Sequence, residues 1–190
     1  MSIVLKNISK SFDGKQVLTD FSHTFKKGER VCLMGESGIG KTTLLNIILG
    51  LVKADSGSIS GVPSRITAVF QEDRLCESFS ALDNVKAAIG NAATNEQIKK
   101  CLFELGLDPN DKTPVSSFSG GMRRRVAIAR AILAESEAIL MDEPLSALDD
   151  ARRDSVIKII LEYTKGKTLI VTTHDATEPA LFGSDVLVIK

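Results

Sequence analysis

The chain has 190 residues, of which 43% are hydrophobic, so it can bury a sizeable core in one domain and leaves no room for a second enzyme domain. Lysine plus arginine and aspartate plus glutamate number 24 each, so there is no global basic field to steer the protein toward nucleic acid, and no nucleic-acid partner is expected. The three cysteines lack C-x-x-C spacing, which argues against a zinc site or disulfide framework and for a reducing compartment.

The N-terminal segment predicts two strands, over residues 3–9 and 17–25, joined by the turn Asp13-Gly14-Lys15. Alternating apolar and polar residues in the second strand indicate one buried face. We therefore expect an antiparallel β hairpin ahead of the core. The chain begins without a basic region followed by a long apolar stretch, and no segment approaches the ~18 apolar residues that span a bilayer, so we expect a soluble protein.

A phosphate loop follows the apolar run 31–34 and opens a helix-like run over 43–49, in the order strand, glycine loop, helix. Its glycines let backbone N–H groups point inward at phosphates, and the helix N-terminus adds a positive dipole end. Lys41 supplies a charge to the γ-phosphate, and the Thr42 hydroxyl can ligate Mg²⁺. The alternative is a chance glycine-rich turn. The candidate nucleotide-binding residues of this segment are Gly35, Glu36, Ser37, Gly38, Ile39, Gly40, Lys41, Thr42 and Thr43.

In the middle of the chain the apolar pattern changes from that of short strands to that of helices. Turn residues at 53–57 precede short β-like pieces at 58–60 and 65–70, and apolar positions at helical spacing follow within 81–85 and 96–105, with Thr94 or Asn95 as a helix cap. We interpret residues of about 76–134 as a small helical lobe inserted in the nucleotide-binding core.

The C-terminal part alternates helices and strands. Helices are predicted over 120–133 and 151–163, and strands over 138–141, 168–172 and 186–189. Such alternation is typical of a mostly parallel sheet with helices on both faces and a ligand at the carboxyl ends of its strands. The predicted fold is therefore an α/β phosphate-loop NTPase core with an N-terminal antiparallel hairpin and an inserted helical lobe.

Two carboxylates, Asp142 and Glu143, end the apolar strand at 138–141, where a parallel sheet would set them beside the phosphate loop. Asp142 would hold Mg²⁺, directly or through water. Glu143 could polarise the attacking water, a role worth roughly 10²–10⁴ in rate. The alternative is a solvated acidic turn at a strand end.

His174 follows the strand at 168–172 and would face the γ-phosphate from the same sheet edge, which favours a hydrogen-bonding sensor over a surface or capping residue. Ser119, Gly120 and Gly121 at a helix start make a second anion-binding site that lacks its own lysine. We interpret the basic run Arg123-Arg124-Arg125 that follows as a solvated helix face.

This second site carries a family resemblance. Phe118-Ser119-Gly120-Gly121-Met122 resembles the LSGGQ signature of ATP-binding cassette (ABC) ATPases, with Phe118 for leucine and Met122 for glutamine. The resemblance implies that the signature of one subunit caps the γ-phosphate held by another, so that two ATP molecules lie between two cassettes. It also implies that residues 146–149 contact the opposite subunit.

The same resemblance assigns roles to three further residues. Phe12 matches the aromatic residue that stacks on adenine, with a core phenylalanine as the alternative. Gln71 matches the glutamine that reaches Mg²⁺ and the attacking water and hinges the lobe, with a solvated loop glutamine as the alternative. His174 matches the switch histidine of the family.

The implied function is the ATP-hydrolysing motor subunit of an ABC transporter, with ATP and Mg²⁺ as cofactors. Its expected partners are a second copy or a similar cassette, transmembrane permease subunits and a solute-binding protein. We expect it in the cytoplasm, peripheral on the inner face of the membrane. The run 70–75 resembles importers for small anions and organic solutes. A soluble ABC ATPase uncoupled from transport and a phosphate-loop small-molecule kinase are the alternatives.

The permease is expected to dock near the lobe that follows Gln71. The candidate apolar patch there is formed by Leu75, Cys76, Phe79 and Leu82. The alternative is that these residues form the buried core of the lobe.

Overall fold

The computed structural model describes residues 2–189, apart from the side chain of Asp150. The strands of this part of the chain are β1 (Ile3–Phe12), β2 (Lys15–Phe25), β3 (Arg30–Met34), β4 (Ser56–Ser60), β5 (Ile66–Val69), β6 (Ala138–Asp142), β7 (Thr168–Thr172) and β8 (Asp185–Val188). Its α-helices are α1 (Lys41–Ile48), α2 (Ala81–Ile89), α3 (Asn95–Glu104), α4 (Gly120–Leu133), α5 (Asp150–Tyr163) and α6 (Glu178–Phe182). A 3₁₀ turn, Val115–Ser117, precedes α4.

The strands form two sheets. Strands β1 and β2 make the predicted antiparallel hairpin, and β4 joins the other edge of β1 to complete a three-stranded sheet of order β2-β1-β4. Sequence analysis found the β4 segment but not its partner, because β4 is short and its pairing bridges about fifty residues of chain. The second sheet is parallel, with order β5-β6-β7-β3-β8.

The three central strands of the parallel sheet, β3, β6 and β7, are buried on both faces, which explains their nearly continuous apolar sequences. Along β3, Val31 and Leu33 join a cluster shared with α1 and the antiparallel sheet, whereas Cys32 between them joins the opposite cluster. That opposite cluster also holds the apolar faces of α2, α3, α4 and α5. Because successive strand side chains alternate between faces, one strand serves both cores. The α/β architecture predicted from the sequence is confirmed.

The lobe helices begin with side-chain caps. The Ser80 hydroxyl accepts a hydrogen bond from the backbone N–H of Asp83 at the start of α2. Thr94 and Gln97 form a reciprocal capping box at the start of α3, a feature that contributes about 1 kcal/mol. The predicted bounds of α4 agree with the structure, but the five-residue α6 was missed because it is shorter than two helical turns.

The register of the parallel sheet brings four loops to one edge. Leu33 of β3 and Asp142 of β6 both pair with Thr172 of β7, and Val69 of β5 pairs with Met141. The residues that follow β3, β5, β6 and β7 therefore emerge side by side at the carboxyl edge. None of the helices within residues 2–189 is long and apolar enough to cross a membrane.

Candidate functional site

The phosphate loop connects β3 to α1. Its last glycine, Gly40, has a φ of 109° and caps α1 without a side-chain hydrogen bond, so that the first amides of the helix keep their donors for a ligand. A Cβ at Gly40 would lie 2.9 Å from both the Val17 carbonyl oxygen and the Leu18 side chain. Glycine is thus required here both by the backbone angle and by the close approach of β2.

Lys41 folds back over this loop. Its buried Nζ donates hydrogen bonds to the carbonyl oxygens of Gly35 at 2.7 Å and Glu36 at 3.0 Å. Because an ammonium has three N–H donors, the third is available for an anion held by the loop.

Asp142 is joined to the phosphate loop by a direct contact. Its Oδ2 accepts a hydrogen bond from the Thr42 hydroxyl at 2.7 Å, and its Oδ1 accepts one from Thr172 at 2.5 Å. The residue is 5% exposed. A hydroxyl and a carboxylate this close form a donor set of hard oxygen atoms, which suits Mg²⁺.

Glu143 lies one residue further along, with a φ of 45°. Its backbone N–H donates to the Thr172 hydroxyl at 2.9 Å, and its Oε1 is 3.6 Å from Nδ1 of His174. Both side chains line a cavity of about 190 Å³ together with Ser146, Asp175 and others. The His174 side chain is 69% exposed, so it can reach a molecule bound over the loop.

Gln71 and Phe12 approach this edge from two other elements. Gln71 follows the end of β5, next to the β6 end that carries Asp142, and its side chain is exposed. Phe12 is 45% exposed at the tip of the β1–β2 hairpin, where Lys10 Nζ lies 5.1 Å from its ring centroid. It pairs with Lys15, two residues before the Val17 that packs on Gly40. The exposed ring therefore lies at the tip of a hairpin whose second strand approaches the phosphate loop at Gly40.

The signature residues lie at the start of α4. Ser119 caps this helix by accepting a hydrogen bond from Met122 N at 3.3 Å, and Ser119 and Gly120 are exposed. A Cβ at Gly121 would lie 2.9 Å from the carbonyl oxygen of Ala147, in the loop that follows Glu143. Within residues 2–189, no hydrogen bond joins the signature residues to residues 35–43. The family resemblance implies that the signature of one subunit caps the γ-phosphate held by another, and this assignment stays a prediction.

The interpretation of the basic run as a solvated helix face is wrong. Arg124 and Arg125 are 2% and 6% exposed, and Arg123 makes a two-point ion pair with Glu77. Arg125 donates to the carbonyl oxygens of Leu105 and Gly106 inside the lobe. Three successive helical residues point in three directions, so a run of arginines at a helix start can serve three buried or paired positions.

Two further polar residues were missed. Thr172 holds both Asp142 and Glu143, and its only signal in the sequence is a hydroxyl at the end of an otherwise apolar strand. Glu178 at the start of α6 is 6% exposed, and burial raises the pKa of its carboxyl, opposed by a hydrogen bond with Thr173. Nothing in the sequence near Glu178 marks it as buried.

Comparison with known proteins identifies the family. The family model for ABC transporters matches residues 18–146. The aliphatic sulfonates import ATP-binding protein SsuB of Delftia acidovorans is 35% identical over 193 residues, covering 100% of this chain and 80% of that protein. The taurine import ATP-binding protein TauB of Pelagibacter ubique is 36% identical over 200 residues, covering 97% of this chain and 76% of that protein.

A solved structure agrees with these relatives. A putative ABC transporter ATP-binding protein from Pyrococcus furiosus superimposes with a TM-score of 0.86 at 27% identity, over 100% of this chain and 98% of that chain. The fold is therefore that of an ABC ATPase. The chain belongs to the ABC transporter family and is its nucleotide-binding, ATP-hydrolysing motor subunit, as the sequence predicted.

Proposed function

We propose that residues 1–190 form one ABC ATPase domain, with a helical lobe over about 76–134, that closes on ATP as a dimer with a second copy or a similar cassette. The observation that carries this proposal is the exposed signature at the start of α4, which makes no hydrogen bond to the phosphate loop within the described chain. Because Ser119, Gly120 and Gly121 form an anion site without a lysine, they fit the γ-phosphate held by another subunit.

In this proposal the phosphate loop, residues 35–43, binds the ATP phosphates through backbone N–H groups and the third donor of Lys41. The exposed ring of Phe12 stacks on adenine, a contact worth roughly 1–3 kcal/mol by analogy with other base–aromatic stacks.

The residues at the β6 edge fit Mg²⁺. Thr42 and Asp142 already share a hydrogen bond at 2.7 Å, and their oxygens would hold the ion together with the exposed amide of Gln71. Bound there, Mg²⁺ would neutralise charge that develops on the phosphates.

Hydrolysis is assigned to three side chains. Glu143 accepts a proton from the attacking water, and Gln71 orients that water from the end of β5. His174, beside Glu143, donates a hydrogen bond toward the γ-phosphate. The 3.6 Å approach of Glu143 and His174 supports the joint assignment.

The proposed partners are transmembrane permease subunits and a solute-binding protein. The names of the sulfonate and taurine relatives describe import ATP-binding proteins, which supports an importer. We place the chain at the inner face of the cell membrane, where cytoplasmic ATP meets the permease. ATP binding would close the dimer, and hydrolysis would reopen it.

The test of this proposal is the variant Glu143→Gln, which keeps size and polarity but removes the base. We expect it to retain ATP and to persist as a closed dimer in size-exclusion chromatography with light scattering, while phosphate release falls by at least about 100-fold. If the closed dimer binds ATP ~100-fold more tightly at both sites, the bias toward closure is roughly 5 kcal/mol.

Two controls separate the steps. Lys41→Ala should weaken ATP binding by the monomer, because it removes a phosphate-binding charge, whereas Ser119→Ala should leave monomer binding unchanged and prevent dimer formation. A Glu143→Gln protein that hydrolyses ATP at the wild-type rate would refute the assigned base. Loss of monomer binding in Ser119→Ala equal to that in Lys41→Ala would refute the two-subunit site.

A further inference from the structure

Arg124 is a charged residue buried in the interior of the protein, in the second turn of α4. Its side chain is 2% exposed, and its two terminal nitrogens donate to four acceptors on two other segments of the chain. None of these acceptors belongs to α4 itself. The guanidinium thus connects the signature helix of the lobe to the core of the site.

One end of the guanidinium holds the Glu143 turn. Nη2 donates to the carbonyl oxygen of Asp142 at 3.0 Å and to that of Glu143 at 2.9 Å. Glu143 has a φ of 45°, a left-handed conformation that costs energy for any residue other than glycine. Two hydrogen bonds from a buried cation favour this conformation over relaxed alternatives, because those would turn the carbonyls away.

The other end holds the loop after β5. Nη1 donates to the carbonyl oxygen of Phe70, next to Gln71, and to Oδ1 of Asp73 at 3.1 Å. Asp73 also balances part of the buried charge. The peptide units next to two residues of the proposed hydrolytic site, Gln71 and Glu143, therefore share one rigid planar group.

We propose that Arg124 is a positioning residue that sets the orientation of Glu143 and ties it to the Gln71 loop. Movement of that loop or of α4 would move the glutamate, so hydrolysis depends on the position of the lobe. This inference rests on the role proposed above for Glu143. Arg124 itself does not contact the nucleotide in this scheme.

The test uses Arg124→Gln, which cannot reach both segments, and Arg124→Lys, which keeps the charge without the fork. Because a misplacement of about 1 Å can cost on the order of 10² in rate, we expect kcat for ATP hydrolysis to fall at least about 10-fold in Arg124→Gln, with Arg124→Lys intermediate. The dissociation constant for ATP should stay within about twofold. Hydrogen exchange should accelerate in peptides that span residues 143–148.

The matched control is Arg130→Gln. Arg130 lies on the same helix and donates to the carbonyl oxygens of Asp73 and Arg74, so its removal loosens the same loop without contact to the Glu143 turn. It should keep kcat within about twofold of wild type. If Arg130→Gln lowers kcat as much as Arg124→Gln, loop order alone explains the effect and the proposal is wrong.

The other outcomes distinguish a failure of the positioning role of Arg124 from a failure of the role proposed for Glu143. A wild-type kcat in Arg124→Gln, while Glu143→Gln is inactive, contradicts the positioning role alone. A wild-type kcat in Glu143→Gln contradicts the proposed base itself. If Arg124→Gln fails to fold, Arg124→Lys decides, because equal losses of kcat and ATP affinity there would indicate a purely structural residue.

Discussion

The Asp142–Glu143 turn is held by contacts from several elements. Besides Arg124, Thr172 of β7 accepts the Glu143 N–H at 2.9 Å and donates to Asp142 at 2.5 Å, and Ser146 Oγ donates to the Glu143 carbonyl at 3.0 Å. A left-handed non-glycine residue costs roughly 1–3 kcal/mol, which such contacts offset. The orientation of the proposed base is thus fixed through its backbone.

We expect Thr172→Val to remove the hydrogen bonds that the Thr172 hydroxyl makes with Asp142 and Glu143. Valine keeps the shape of threonine but leaves the buried N–H of Glu143 and one Asp142 oxygen without their partner, so unfolding free energy should fall by about 1–3 kcal/mol. Phosphate release should fall about 10-fold because the carboxylate loses its orientation. Chemical unfolding and steady-state kinetics measure the two effects.

The control for this prediction is Thr168→Val at the opposite end of β7. Thr168 is also buried, and its hydroxyl accepts from Gly28 N at 3.0 Å, far from the carboxyl edge. It should lose comparable stability and keep its turnover per folded molecule. An equal loss of turnover in both variants would mean that general destabilisation, not positioning, is responsible.

At the scale of elements, α6 anchors the segment that follows His174. The helix is short, with Pro179 near its start and Gly183 ending it in a left-handed conformation. Phe182 is fully buried, which contributes on the order of 2–3 kcal/mol, and it inserts into the same core as the lobe helices. Burial of Glu178 at the start of the helix opposes part of this gain.

Glu178 makes stability depend on pH. Burial raises its pKa above the ordinary 4.5, and the groups that act on it are Asp175, which raises the pKa further, and Thr173, Arg153 and His174, which lower it. As pH rises above 4.5, the unfolded chain loses this proton first, so the unfolding free energy of the wild type falls by up to ~1.4 kcal/mol per pH unit until the raised pKa is passed.

Because Glu178→Gln does not titrate, its stability relative to wild type should increase with pH across that interval and then level off. Urea unfolding from about pH 4 to about pH 8 measures the difference. Asp111→Asn is the opposite control, since hydrogen bonds from Thr113 lower the pKa of Asp111 and its stabilisation is lost only as the solution becomes acidic. A flat difference curve for Glu178→Gln would contradict the burial argument.

At the scale of the whole molecule, the lobe offers a surface to a partner. The predicted apolar patch is corrected in part, because Leu82 is 9% exposed and belongs to the core, and Leu75 packs partly buried against it. Phe79 remains 42% exposed and Cys76 is exposed, on the segment that follows the Gln71 loop. We therefore predict that Phe79 is the main residue of this surface that contacts the permease.

Phe79→Asp should weaken capture of the permease by at least about 10-fold and abolish permease-stimulated ATPase activity, because it sets a charge in an apolar contact. Basal ATPase activity and the melting temperature should be unchanged, since the side chain is already partly solvated. Co-purification from membranes, followed by phosphate release, measures both. Phe103→Asp is the matched control, because Phe103 is 72% exposed on α3 of the same lobe. Equal loss in both variants would refute a specific dock at Phe79.

The sequence by itself determined the features that depend only on neighbouring residues along the chain. The phosphate loop between β3 and α1, the carboxylates that end β6 and the Ser-Gly-Gly start of α4 were all evident, because each is a continuous segment whose chemistry depends on its immediate neighbours. Helix periodicity and buried strands likewise gave the α/β fold.

Only the tertiary structure decided which distant groups share a hydrogen bond. Arg124 lies 54 residues from Phe70 and 19 from Glu143, and Thr172 lies 29 from Glu143. No local pattern distinguishes an arginine in a basic run on a solvated face from one that holds two loops. That distinction arises when sheet register and helix packing bring backbone carbonyls together in a space without water, where a charged donor must find acceptors.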